Sequence, residues 1–287
     1  MFSSAFFIFE TNQNLNAMFL KTNFRPAVFS LIAVLLIIAA CSTVPLIGRK
    51  QVLLLPESEL VSMGTANYRG FLDTSRVVNT GNEAREIKEI GSNISVAVEK
   101  YLKEQGLENR LKDFKWEFSL IESDVPNAWC MPGGKVCFYT GILPYTQNKN
   151  GIAVVMGHEI AHAVARHGNE RMSQQLMAVA GGAVLSEFIK EKPEVTQNIF
   201  MSVFSVGASV GLLLPYSRLH EYEADRLGLI FMAMAGYDPH EAVKFWERMS
   251  KMGGARPPEF LSTHPADEKR IENMKKVLPE ALNYYKP

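Results

Sequence analysis

Apolar residues recur every three to four positions along two early stretches, 58–70 and 82–105, and the spacing predicts helices with one buried face. In the second stretch Ile87, Ile90, Ile94, Ala97, Val98, Tyr101 and Leu102 form the stripe, and Gly106 marks its stop. Residues 114–120 alternate apolar and polar, which predicts a strand. A hairpin follows around Pro132-Gly133-Gly134, with 135–139 as its return arm. Helical patterning then resumes with a mostly buried helix over 151–167, and with two apolar segments of helical length at 173–190 and 196–214. A helix over 218–235 is closed by Gly236, another runs from Asp238-Pro239 through Met252, and the last spans Pro265 to about Val277. Helices, a small sheet and helices again, without internal repeats, predict an α+β domain with little strand. Glu187, Lys190, Glu191 and Lys192 interrupt the two apolar segments, which favours buried or partly lipid-facing helices over a membrane crossing.

Composition changes this picture little. The chain has 287 residues, 47% of them hydrophobic, enough for one sizeable core. Lys+Arg and Asp+Glu both number 30, and with no basic run the chain gives no sign of a nucleic-acid partner.

The first forty residues read differently. Lys21 and Arg25 precede the uncharged run 31–40, which is about half the length needed to span a bilayer. A basic start, a short apolar run and small residues at its end predict an export signal over residues 1–40, with an uncleaved anchor helix as the competing reading. Ile38-Ala39-Ala40-Cys41 resembles the bacterial lipobox, in which the cysteine becomes a lipidated N-terminus; Ser42 after it favours the outer membrane. Residues 41–57, with Pro45, Gly48 and Pro56, are expected to be a tether, leaving 58–287 as the folded domain. Cys130 and Cys137 are expected opposite each other across the hairpin turn, as two thiols rather than a disulfide.

His158-Glu159-Ile160-Ala161-His162 carries the chemistry. Positions i and i+4 share a helix face, so both imidazoles can converge on one zinc ion, with Glu159 beside them to take a proton from a water on that ion. A catalytic zinc needs a third ligand and an open position. Glu221, some sixty residues on, can supply the ligand; Asp225, one turn later, can accept the other N–H of a ligand histidine. Glu223 points away from Glu221 and is the weaker ligand.

With Arg166-His167-Gly168 after the motif, Ser217-Arg218 before Glu221, and the later His264-Pro265, the chain resembles the M48 metallopeptidases, the family of Ste24-like, HtpX-like and Oma1-like proteases. It is most similar to the bacterial periplasmic lipoprotein members. The resemblance runs over roughly residues 120–275 in family order. It implies a zincin-type domain, one Zn²⁺ held by His158, His162 and Glu221, and endopeptidase activity on proteins. It matches Asn127 and Ala128 to an edge strand that positions extended substrate. It also brings His264 near the cleft, either to stabilise the oxyanion or to occupy the fourth metal position and hold the enzyme latent. Arg270 is expected to bind substrate carbonyl or carboxylate groups, and His167 to cap the active-site helix. The implied setting is the cell envelope, membrane attachment through Cys41, protein substrates, and possible work beside envelope assembly machinery; a chaperone-like factor with a latent metal site is the alternative.

Overall fold

The structure is a computed structural model that describes residues 41–45, 47–180, 185–204, 217–252 and 259–286; the expected export signal lies outside them. The described residues open with two short strands, β1 (Cys41–Thr43) and β2 (Lys50–Val52), paired antiparallel. Helices α1 (Glu57–Thr74) and α2 (Asn82–Glu104) follow. The α2 stripe is buried as its spacing predicts, from Ile87 through Leu102.

A three-stranded sheet comes next: β3 (Glu117–Ile121), β4 (Ala128–Met131) and β5 (Lys135–Tyr139), in the order β3-β5-β4. β5 runs parallel to β3 and antiparallel to β4, which leaves β4 at an edge. The hairpin register differs from expectation. Met131 pairs with Lys135, so three residues make the turn, with Gly133 and Gly134 at φ 85° and 77°. Cys130 therefore faces Val136, Cys137 faces Trp129, and the two cysteines are free, buried thiols. A one-residue slip in pairing reverses the face on which a side chain stands.

The remaining described elements are α3 (Leu143–Thr146), α4 (Lys149–Ala165), α5 (His167–Ala180), α6 (Leu185–Glu191), α7 (Pro193–Phe204), α8 (Arg218–Met234), α9 (His240–Ser250), α10 (Glu259–Thr263) and α11 (Glu268–Leu282). The first apolar segment is thus divided between α5 and α6. Only the start of the second lies in α7; residues 205–216 are outside the described set. No helix among the described residues is long and apolar enough to cross a membrane. The last helix begins later than expected, because Asp267 caps it by accepting from the backbone N–H of Arg270.

α4 is the central helix, buried at every position from Gly151 to Ala165 except Ala163. The Asn148 side chain caps its start, and Arg166 ends it in the left-handed conformation, φ 62°. α4 packs on α8 through glycines. A Cβ on Gly157 would stand 2.8 Å from the Gly228 carbonyl oxygen, and one on Gly228 would stand 2.9 Å from the His158 nitrogen. The two helices meet backbone to backbone beside the HExxH motif.

The stretch expected to be a tether is docked on the domain. Val44 is in the core, 1% exposed. Arg110 donates to the Thr43 carbonyl and to the Val164 carbonyl at the end of α4. The Leu54 N–H donates to Ser173 Oγ at 2.9 Å, and Asn169 Nδ2 to the Leu55 carbonyl at 3.0 Å. The main-chain groups of Leu54 and Leu55 thus find partners on α5.

Candidate metal centre

Helical spacing puts His158 and His162 on one face of α4, and their Nε2 atoms lie 3.1 Å apart. α8, held close by the glycine contact, brings Glu221 to them: Oε1 is 3.4 Å from His162 Nε2, and Oε2 is 3.5 Å from His158 Nε2. His264 enters from the segment after α10. Its Nδ1 is 3.2 Å from His158 Nε2 and 3.1 Å from Glu221 Oε1. These four buried residues offer donor atoms all within 4.8 Å of one another. Bonds of about 2.0–2.1 Å to a tetrahedral ion imply donor separations of about 3.3 Å. The spacing and the His/carboxylate donor set both fit such an ion.

The electrostatics pull two ways: burial opposes protonation of His158, but its hydrogen bonds to Asp225 and Glu221 outweigh that and raise it to about 9, so an ion must displace a proton there. Burial drives His162 well below the usual histidine range, toward the neutral form that a metal ligand requires. Burial opposes ionisation of Glu221, but Arg270 and His264 outweigh it and hold the carboxyl well below the ordinary range. Glu159 differs: burial raises its carboxyl. Its Oε1 is enclosed without a hydrogen-bond partner among the described residues, 3.5 Å from His264 Nε2.

Asp225 stands behind His158, with Oδ1 2.9 Å from Nδ1. Arg270, expected to bind substrate, is turned into the buried site. Its Nε and Nη2 each donate to Asp225 at 2.7 Å, and its Nη1 is 2.6 Å from Glu221 Oε2. The guanidinium lies 3.6 Å above the Trp246 ring and is 2% exposed; Asp225 and the Pro265 carbonyl accept its hydrogen bonds, and its charge stands against Glu221. The pattern of α8 held a clue: two acids four apart on a buried face need a cation nearby. His167 is not the cap of α4, since Arg166 holds that position; its Nδ1 lies 2.9 Å from His162 Nδ1. Glu223 points away from the metal donors and sits 2.9 Å from His167 Nε2.

β4 forms the wall beside Glu159. The Tyr139 N–H donates to the Asn127 carbonyl, so Asn127 faces β5, and the main-chain groups of Ala128 and Cys130 point away from it. Asn127 Oδ1 accepts from the Ala128 N–H at 2.9 Å, while its Nδ2 donates to Glu259 Oε1 at 3.0 Å. Asn127 thereby pins the strand to the segment that carries His264. A cavity of about 20 Å³ separates β4 from Glu159 and His264, with Phe204 on its margin.

Residues 92–278 match the sequence pattern described as Peptidase family M48. The chain belongs to peptidase family M48. It is 40% identical over 197 residues to the mitochondrial metalloendopeptidase OMA1 of Saccharomyces cerevisiae, covering 66% of this chain and 54% of that protein. It is 27% identical to the human mitochondrial metalloendopeptidase OMA1 over 88% of this chain and 49% of that protein. The beta-barrel assembly-enhancing protease of Escherichia coli is 30% identical over 54% of this chain and 33% of its own length. This M48 chain thus spans about half the length of the yeast and human relatives, and less of the bacterial one.

Proposed function

We propose that the chain is a zinc-dependent endopeptidase acting on misfolded or misassembled proteins of the cell envelope. The observation that carries this reading is the four-residue donor set, its atoms within 4.8 Å of one another, beside a buried Glu159 carboxylate oxygen that accepts no hydrogen bond among the described residues. His158, His162 and Glu221 would hold the ion. Zinc bound there supplies Lewis-acid polarisation of a carbonyl and a water acidified to a pKa of about 7. Glu159 takes a proton on Oε1 as the peptide bond is attacked and later delivers it to the leaving amine; its raised affinity for protons suits both tasks. Asp225 accepts from His158 Nδ1, keeping the Nε2 lone pair turned to the ion. Ala128 would pair with extended substrate through its carbonyl and Cys130 through its N–H and carbonyl, since the Ala128 N–H is taken by Asn127 Oδ1; the cleavage site then becomes a matter of strand addition.

The test is Glu159→Gln. It should keep zinc and fold while cleavage of an unfolded protein such as casein falls by about 100- to 10,000-fold. Wild-type cleavage by this variant would sink the mechanism. His264 Nδ1, at the fourth corner of the donor set, favours a second reading in which the site rests in a latent state and the chain serves as a chaperone-like assembly factor. Envelope function that survives Glu159→Gln would favour that one.

The proposed location is the periplasmic side of a bacterial envelope, with lipid on Cys41 after removal of residues 1–40. The lipobox-like Ile38-Ala39-Ala40-Cys41 and the bacterial relatives support it, whereas the mitochondrial relatives favour another compartment. Incorporation of a palmitate analogue that persists in Cys41→Ser would count against it.

A further inference from the structure

Asp225 accounts for the orientation of His158, but the ring of His162 needs its own support. Behind it lies a second polar cluster: His167, Glu223, Glu170 and His220, each no more than 6% exposed. Arg49 reaches into it from the β1–β2 hairpin. Arg49 Nε donates to Glu223 Oε1 at 2.6 Å and Nη2 to Glu223 Oε2 at 3.0 Å. The same guanidinium donates to Glu170, Nη1 to Oε1 and Nη2 to Oε2, both at 2.8 Å. His220 Nε2 is 3.2 Å from Glu170 Oε2, and its ring stacks on His167 with centroids 4.5 Å apart.

The donor and acceptor roles along this line have one consistent solution. A metal takes His162 through Nε2, the nitrogen that faces His158 and Glu221. Nδ1 of His162 then carries the hydrogen and donates to His167 Nδ1, 2.9 Å away. His167 must therefore carry its own hydrogen on Nε2, where Glu223 Oε2 accepts it at 2.9 Å. The Arg49 fork engages both Glu223 oxygens and so fixes Oε2 where it accepts from His167.

We propose that Arg49 is a positioning residue of the metal centre: by clamping Glu223 and Glu170 it holds His167 in the place and tautomer that keep the His162 ring turned to the ion. The N-terminal hairpin is thereby a working part of the site. This inference rests on the zinc-site reading above. Arg49 is not required simply to dock its segment, because Arg110, Ser173 and Asn169 already hold the same stretch to the domain.

The experiment measures zinc affinity of the full chain by competition with a chelator of known affinity. The ligand-field spectrum of bound cobalt and the thermal unfolding of the metal-free protein are recorded alongside. Variants are Arg49→Lys, His167→Leu, their combination, and His167→Asn, which keeps an acceptor near the position of Nδ1. Loss of such an outer partner weakens metal binding by about 10- to 100-fold. Arg49→Lys and His167→Leu should each do so and alter the cobalt spectrum, by more than any change in metal-free unfolding accounts for; His167→Asn should recover part of the loss. In the His167→Leu background, Arg49→Lys should add no further loss beyond about twofold, the scatter between independent sites. Zinc affinity of Arg49→Lys within about twofold of the parent protein would overturn the proposal, as would losses that multiply in the double variant. His158→Ala separates the two readings. If it retains zinc, the metal-site assignment itself fails; if it loses zinc while Arg49→Lys does not, only the role of Arg49 fails.

Discussion

Glu170 shows how closely the chemistry of one residue follows its neighbours. Burial alone would raise its carboxyl, but hydrogen bonds from Arg49 and His220 outweigh that and hold it at about 2, against an ordinary 4.5. A depressed folded-state value means that the ionised group favours the fold. Its contribution is complete above about pH 4.5 and is lost as pH falls toward 2. Chemical unfolding followed across that window should show a steeper loss in the parent than in Glu170→Gln, and parallel curves would contradict the assignment. Arg270 teaches the same lesson by a different route. As an isolated residue in the sequence it resembled a substrate contact; only the fold reveals that Asp225 and the Pro265 carbonyl take its hydrogen bonds while Glu221 faces its charge. The HExxH pair was readable because helical spacing alone makes it converge. Arg49 lies 121 and 174 residues from its partners, and no local pattern reports contacts of that kind.

Among the elements, α2 was legible because one face meets the core and the other meets water, which leaves a periodic stripe. α4 is enclosed on all sides, so its pattern tells of burial but not of which face holds the ion. The hairpin register escaped because a Gly-Gly pair at positive φ suits a two-residue turn as well as the three-residue turn that forms, so the residues alone do not choose between them. The α4–α8 contact carries the sharpest consequence at this scale. Gly157 and Gly228 face backbone rather than flexible side chains, so an added methyl group must push the helices apart. Gly228→Ala should lower stability by about 1–3 kcal/mol, as overpacking does, and weaken zinc binding along with it. Denaturant melts and chelator competition check both halves. A variant with parental stability would show that the contact has slack.

For the molecule as a whole, the donors come from α4, α8 and the segment beyond α10, which are far apart in sequence. An ion that binds them ties these parts together and binds the unfolded chain far less. At free zinc about a hundredfold above its dissociation constant, the stabilisation is about 2.7 kcal/mol. For a domain of this size that corresponds to a fall of roughly 5–11 °C in melting temperature on chelation. An unchanged melting temperature would argue against a site that spans the fold. The α+β class and the order of motifs were visible from the pattern of the chain. The docking of residues 41–57 was not, since Pro45, Gly48 and Pro56 look alike in a loose linker and in a tight hairpin.

The cavity between β4 and Glu159 has room for about one water molecule, which makes timing part of the chemistry. Phe204 and His264 stand at its margin among the described residues, so on the proposed reading a peptide reaches Glu159 by displacing them. The frequency of that opening is a ceiling on turnover, common to good and poor substrates alike. Substrates would then be ranked by the concentration at which they reach the ceiling, not by its height.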